Sequence, residues 1–234
     1  MAQAFAATGA RVRVSDVDPA ALAALPSGVE GRQVDAADEA QVAAFFAGIA
    51  ADWGGVDVVC ANAGIKGPTA AVSEMDMGAW RECLAVNLDG AALAAKYGAR
   101  MMVPQGAGVV IFTSSTAGLN GFPYRAPYAA AKWGVIGLMK TVAMELGPYG
   151  IRANAICPGS VNGPRIDRVI EAEAAAKGTT PEAIRAGYAA GSALKRLSDP
   201  EDVAAMAVFL ASDAARMVTG QALAVDGMTY NVDP

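Results

Sequence analysis

A chain of 234 residues, 54% hydrophobic and 18% charged, is long enough for a full core and too apolar to be disordered, so one globular domain spanning 1–234 is expected. Its net charge of −5 argues against a nucleic-acid or anionic-membrane surface, and no apolar run reaches membrane-spanning length. Histidine is absent, which excludes Ser-His-Asp and Cys-His mechanisms and H-E-x-x-H metalloenzymes. No cluster of Cys and carboxylates suggests a metal. Cys60, Cys83 and Cys157 form no C-x-x-C pair and read as buried free thiols in a reducing, cytoplasmic compartment. The first residues do not read as a signal peptide.

Residues 1–7 read as the last turns of a helix, with Gly9 as its stop. Residues 11–15 alternate as a short strand with Asp16 at its end, and 19–25 look like a short helix. Residues 31–34 form a weak strand closed by Asp35, and 38–53 a helix that Asp38 can cap. The strand 56–60 runs into Asn62-Ala63-Gly64. A helix from about 76 to 102, stopped at Pro104, holds Asn87 in an apolar interior where Asn has poor propensity. The apolar run 109–113 reads as a buried parallel strand and ends at Ser114 and Ser115. A helix opening at 128 carries Tyr128 and Lys132 in its first turns. The strand 151–157 leads into Pro158-Gly159-Ser160-Val161. One or two helices over 165–190, broken around 178–181, a helix over 200–212 and a strand over 222–226 complete the chain. Such alternation predicts an α/β fold with a doubly wound parallel sheet, whose ligands lie off the carboxyl ends of the strands. Asp16, Asp35, Asn62, Ser115 and Pro158 all fall at those ends.

Tyr128 and Lys132 stand at i and i+4 and share a helix face. A free tyrosine has a pKa of about 10 and is a poor acid or base near neutrality, but an ammonium one turn away favours the phenolate. Ser115 precedes Tyr128 by thirteen positions, enough for the intervening loop to bring its hydroxyl back towards the phenol. A serine there can donate to a carbonyl oxygen as negative charge builds on it. Ser115, Tyr128 and Lys132 together therefore suit proton transfer to or from a carbonyl or alcohol.

With these motifs in this order, nearly the whole chain resembles the short-chain dehydrogenase/reductase family. The resemblance implies a Rossmann-like fold and hydride transfer between a nicotinamide cofactor and a secondary alcohol or ketone. Tyr128 would exchange the proton, Lys132 would support it and hold the ribose, Ser115 would polarise the carbonyl and Asn87 would carry a proton relay. Asp16 would bind the adenosine ribose, favouring NAD over NADP; the plainer reading of Asp16 is a cap for the following helix. Asp35 would approach the adenine, with a solvated turn carboxylate as the plainer reading. Asn62-Ala63-Gly64 is similar to the family's N-A-G motif. Pro158 and Gly159 would lie beside the nicotinamide with Val161 offering its backbone, although Asn162-Gly163-Pro164 departs from the family's usual hydroxyl residue.

Residues 160–197 resemble the substrate lid. Arg125, Arg165 and Arg168 are candidates for an acidic substrate group, with solvated surface charge the plainer reading of each. The family's habit predicts a homodimer or homotetramer, with helices containing Asn87 and Tyr128 and the segment 218–234 at interfaces. Two alternatives stand beside this reading: a 3-oxoacyl-carrier-protein reductase, and a cofactor-free inactive paralogue serving as an oligomer partner. The family's first strand and its T-G-x-x-x-G-x-G turn are not found, and Thr8-Gly9 does not replace them. The sequence is therefore read as N-terminally shortened, starting within the first helix at an internal Met, with poor stability and weak cofactor binding expected.

Overall fold

The computed structural model describes residues 1–230. The elements in order are α1 (Ala2–Ala7), β1 (Val12–Asp16), α2 (Pro19–Ala23), β2 (Val29–Gln33), α3 (Glu39–Trp53), β3 (Val58–Ala61), α4 (Met77–Leu84), α5 (Gly90–Gln105), β4 (Gly108–Thr113), α6 (Ala126–Leu146), β5 (Ile151–Pro158), α7 (Pro164–Lys177), α8 (Pro181–Ala190), α9 (Pro200–Ala211) and β6 (Ala222–Val225). All strand pairs are parallel, β1 with β2 and then β3–β4–β5–β6 in sequence order. The two sheets do not bond to each other, so β1 and β3 each keep one edge unpaired among the described residues.

The four-stranded sheet is covered on both faces, which is why its central strands are continuous apolar runs. Side chains alternate across a strand. Val110 and Phe112 pack with Phe46 of α3, Ala95 and Met102 of α5, and Val135 and Met139 of α6. Their neighbours Val109 and Ile111 face the opposite way, onto Val203, Ala207 and Leu210 of α9 and onto Met1 and Phe5 around α1.

Local chemistry sets the helix ends. Asp38 accepts from the Ala40 and Gln41 N–H groups at the start of α3, and Gly54 closes that helix in the left-handed region at φ 79°. Asp199 and Asp202 form a reciprocal capping box at α9. Gly178, at φ 63°, ends α7, and Thr180 caps α8, so the predicted break around 178–181 is present.

The expected helix from 76 to 102 differs in two ways. It is interrupted by a π-helical turn, Ala85–Asp89, between α4 and α5. Nor does Pro104 stop it: the proline lies within the last turn of α5, and Gly106, at φ 69°, ends the helix by donating to the Met102 and Val103 carbonyls. A proline this near the end costs one intrahelical bond, too little to break a helix whose following residue supplies the cap.

Candidate active site

Three elements converge at the carboxyl end of β4. Beyond Thr113 the chain enters Ser114 and Ser115 and a short 3₁₀ turn, Thr116–Gly118, that packs against α6. Ser114 donates to the Lys132 carbonyl at 2.9 Å. Gly118 lies so close to α6 that a Cβ would come within 2.7 Å of that same carbonyl oxygen, so only glycine lets the turn seat there. Ser115 is half-buried, and its hydroxyl accepts from the Ala117 N–H at 3.2 Å.

Lys132 is 4% exposed on α6 and donates from Nζ to the Thr113 carbonyl at 2.9 Å. Its ammonium lies 5.6 Å from the centre of the Tyr128 ring, one turn earlier. Burial pushes Lys132 down from 10.5 to about 8, and the like charge of Arg165 adds to the effect. The same burial raises the Cys83 and Cys157 thiols, and lifts Cys60 to about 11, so all three free cysteines are held as neutral thiols.

Asn87 occupies the middle of the π-helical turn and is 1% exposed. Its amide donates to the Ile65 and Cys83 carbonyls at 3.0 and 2.9 Å, while its buried Oδ1 has no partner among the described residues. That oxygen is turned towards Gly64. A Cβ on Gly64 would fall 2.6 Å from Asn87 Oδ1 and 3.5 Å from Lys132 Nζ, so one glycine backbone separates the amide from the ammonium. A π-turn is frequent at functional sites because it aims a side chain that a regular helix would place elsewhere. Sequence pattern carries no sign of this turn beyond an Asn in an apolar helix.

The remaining expected residues sit at other strand ends. Asn62, after β3, accepts from the Thr113 hydroxyl at 2.9 Å and so ties the ends of β3 and β4 together. Ala63 is exposed beside it. Pro158 ends β5, and Gly159 follows with its Cα so near β6 that a Cβ would be 2.8 Å from that of Asp226. Val161 forms a parallel bridge with Ser198 through the Ser160 carbonyl and the Asn162 N–H. In such a bridge the central residue's own N–H and C=O face the other way, so the Val161 backbone is free to bind outward.

Asp16 and Asp35 are both exposed at the ends of β1 and β2. Asp18, not Asp16, caps α2; Asp16 uses one oxygen on the Asp18 N–H. Asp35 accepts from the Ala37 N–H, as a turn carboxylate does.

Two arginines join the cluster. Arg125 and Arg165 place their guanidinium carbons 5.0 and 5.9 Å from the Tyr128 ring centre. Arg168 is exposed farther along α7 and makes no such ring contact. Among the described residues no group of three His, Cys, Asp or Glu is placed to hold a metal, and no helix is long and apolar enough to cross a membrane. The expected interface segment 218–234 runs in part outside the described residues.

The geometry suits a nicotinamide cofactor: a buried ammonium and an unpartnered amide oxygen flank the bare backbone of Gly64, and carboxylates end β1 and β2. Comparison with known proteins agrees. A family profile described as "Enoyl-(Acyl carrier protein) reductase" matches residues 1–228. A cis-4-hydroxycyclohexanecarboxylate dehydrogenase of Sinomonas cyclohexanicum is 38% identical over 232 residues, covering 97% of this chain and 89% of that protein. A (+)-borneol dehydrogenase of Salvia officinalis is also 38% identical, over 237 residues, 97% of this chain and 86% of that one. The crystal structure of an NAD⁺-bound xylitol dehydrogenase superposes with a TM-score of 0.91 at 28% identity, covering 97% of this chain and 92% of its own. With a profile match over nearly the whole chain, relatives of this identity and the shared parallel sheet, the chain belongs to the short-chain dehydrogenase/reductase family.

Proposed function

We propose that the protein interconverts a secondary alcohol and a ketone, with Tyr128 as the proton donor and acceptor. The observation that carries this is the charged, buried Lys132 one turn from Tyr128 at the end of β4, held in place by the Thr113 carbonyl. A lysine sealed from water without a carboxylate partner costs stability, and such a cost is retained where the charge has work to do. Ser115, half-buried after β4, donates to the carbonyl oxygen as charge develops there. Asn87 Oδ1, across Gly64 from the ammonium, accepts a hydrogen bond in the path that returns the proton.

A bound nicotinamide cofactor would accept the hydride in alcohol oxidation and donate it in ketone reduction. Tyr128, Lys132 and the Val161 backbone would hold its nicotinamide end, with Asn62, Ala63, Gly64, Pro158 and Gly159 lining the approach. Asp16 and Asp35 would receive the adenosine. A carboxylate at Asp16 accepts from ribose hydroxyls and repels a 2′-phosphate, which favours NAD over NADP. The names of the relatives, both alcohol dehydrogenations on cyclic carbon skeletons, support a ring-borne secondary alcohol as the substrate. The family's usual assembly supports a homodimer or homotetramer.

Tyr128→Phe removes the proton and keeps the ring. Its turnover is expected to fall by about 10²- to 10⁴-fold with the far-ultraviolet circular dichroism unchanged; full turnover would sink the assignment. A second reading, reduction of 3-oxoacyl groups on a carrier protein, is supported by a relative named as a "putative ketoacyl reductase". Faster turnover of a 3-oxoacyl-carrier thioester than of a free cyclic ketone would select it.

A further inference from the structure

Around the Tyr128 ring stand three cations and, among the described residues, no carboxylate paired with any of them. Arg125 lies at 5.0 Å, Lys132 at 5.6 Å and Arg165 at 5.9 Å from its centre. The carboxylate-paired basic groups of this chain include Arg13 with Glu30 and Asp52, Lys96 with Glu39, and Arg185 with Asp167. Among the described residues neither Arg125 nor Arg165 has such a partner.

Arg125 is the more constrained of the two. It is half-buried, its Nη2 donates to the Lys66 carbonyl at 2.7 Å, and its Nε–H is sealed from solvent without any acceptor. A buried donor left unpaired is costly unless a ligand completes it. Burial and the neighbouring charge of Arg165 both act against the cationic form of Arg125. Arg165 comes from a different element, the first turn of α7 within residues 160–197, and is exposed. Two guanidinium groups from different elements thus lie within 5.9 Å of the centre of the Tyr128 ring and feel each other's charge, and a planar, two-oxygen anion matches their forks.

We propose that the substrate is a hydroxy acid or keto acid whose carboxylate is bound by Arg125 and Arg165, which sets its reacting carbon against Tyr128. This deepens the oxidoreductase reading and rests on it. The half-buried position of Arg125 places the anion on the substrate itself and not on the surface of a carrier protein. Arg125 and Arg165 are specificity residues: the carboxylate they bind does not react, so it contributes affinity and orientation.

The test is direct binding, read by calorimetry on the full chain with cyclohexanecarboxylate and its neutral counterpart cyclohexanecarboxamide, with and without NAD. The carboxylate is expected to bind at least about tenfold more tightly than the amide, and to bind in the presence of NAD. Arg125→Met is expected to abolish that preference and Arg125→Lys to restore part of it. Arg165→Met, a change at an exposed side chain with no hydrogen bond to lose, should weaken the preference severalfold and keeps the test open if Arg125→Met misfolds. Equal affinity for the two compounds, no binding of either, a preference that survives both methionine variants, or displacement of the carboxylate by NAD overturns the proposal. Reduction of neutral cyclohexanone by the unaltered enzyme, lost in Tyr128→Phe, tests the oxidoreductase reading on its own.

Discussion

The β4–β5 region and the β1–β2 region are built on different principles. In β4 and β5 most residues are buried, and the sheet is held by apolar packing on both faces. In β1 and β2 none is fully buried. That region leans instead on Arg13, which bonds Glu30 at 2.5 Å and Asp52 at 2.7 Å and lies 4.9 Å from the centre of the Trp53 ring. Tyr128, Lys132 and Ser115 stand on the first region, Asp16 and Asp35 on the second. In the proposed function, the groups that must be held to fractions of an ångström sit beside packed strands, while the carboxylates proposed to receive the adenosine sit on an open, charge-tied pair.

Hydrogen exchange is the most direct way to break this contrast. Amides of β4 and β5 are expected to exchange about a thousandfold more slowly than those of β1 and β2. Equal protection would mean that the second sheet is as firmly held as the first. The next effect belongs to Lys132. Its folded-state value of about 8 lies below 10.5, so between these values the unfolded chain binds more protons than the folded one. The Lys132 contribution to stability should therefore rise as pH increases from about 8 to about 10.5, by up to about 3 kcal/mol, while the three thiols raised by burial hold their protons longer in the folded chain and pull the opposite way. Below pH 8 the full cost of the buried charge is present. Denaturant titrations across this range should show the stability of the native chain rising relative to that of Lys132→Met, a difference in which the thiol contribution cancels; a difference that does not change with pH would place the ammonium in better-solvated surroundings. The smallest effect is on the open side. Asp16→Ser should shift the ratio of NAD to NADP affinity by about tenfold towards NADP, read by thermal shift. An unchanged ratio would remove Asp16 from the cofactor site.

Much of this was legible in the residues because the signals are local. The apolar run before Ser115, the i, i+4 pair of Tyr128 and Lys132 and the aspartate cap of α3 each act within a few positions. What was not legible depends on contacts across the fold. Pro104 reads as a helix stop, yet Gly106 two residues later decides the end. Gly64 reads as part of a turn, whereas its role is to leave room between Asn87 and Lys132, far apart in sequence. Arg125 and Arg165 read as surface charge one at a time; only the fold brings both to the Tyr128 ring.

The π-turn at Ala85–Asp89 has a bearing on how the gene can change. Such a turn holds one residue more than a regular helix, and each residue advances a helix by about 100° and 1.5 Å. Losing any single codon between Leu84 and Gly90 would give a smoother helix, yet it would swing α4 about a third of a revolution relative to α5. Cys83 and the anchoring of Asn87 would move with it, even if every amino acid named in this site were kept. Selection here acts on spacing as much as on identity, so in drifting lineages substitutions should accumulate in this stretch while its length stays fixed.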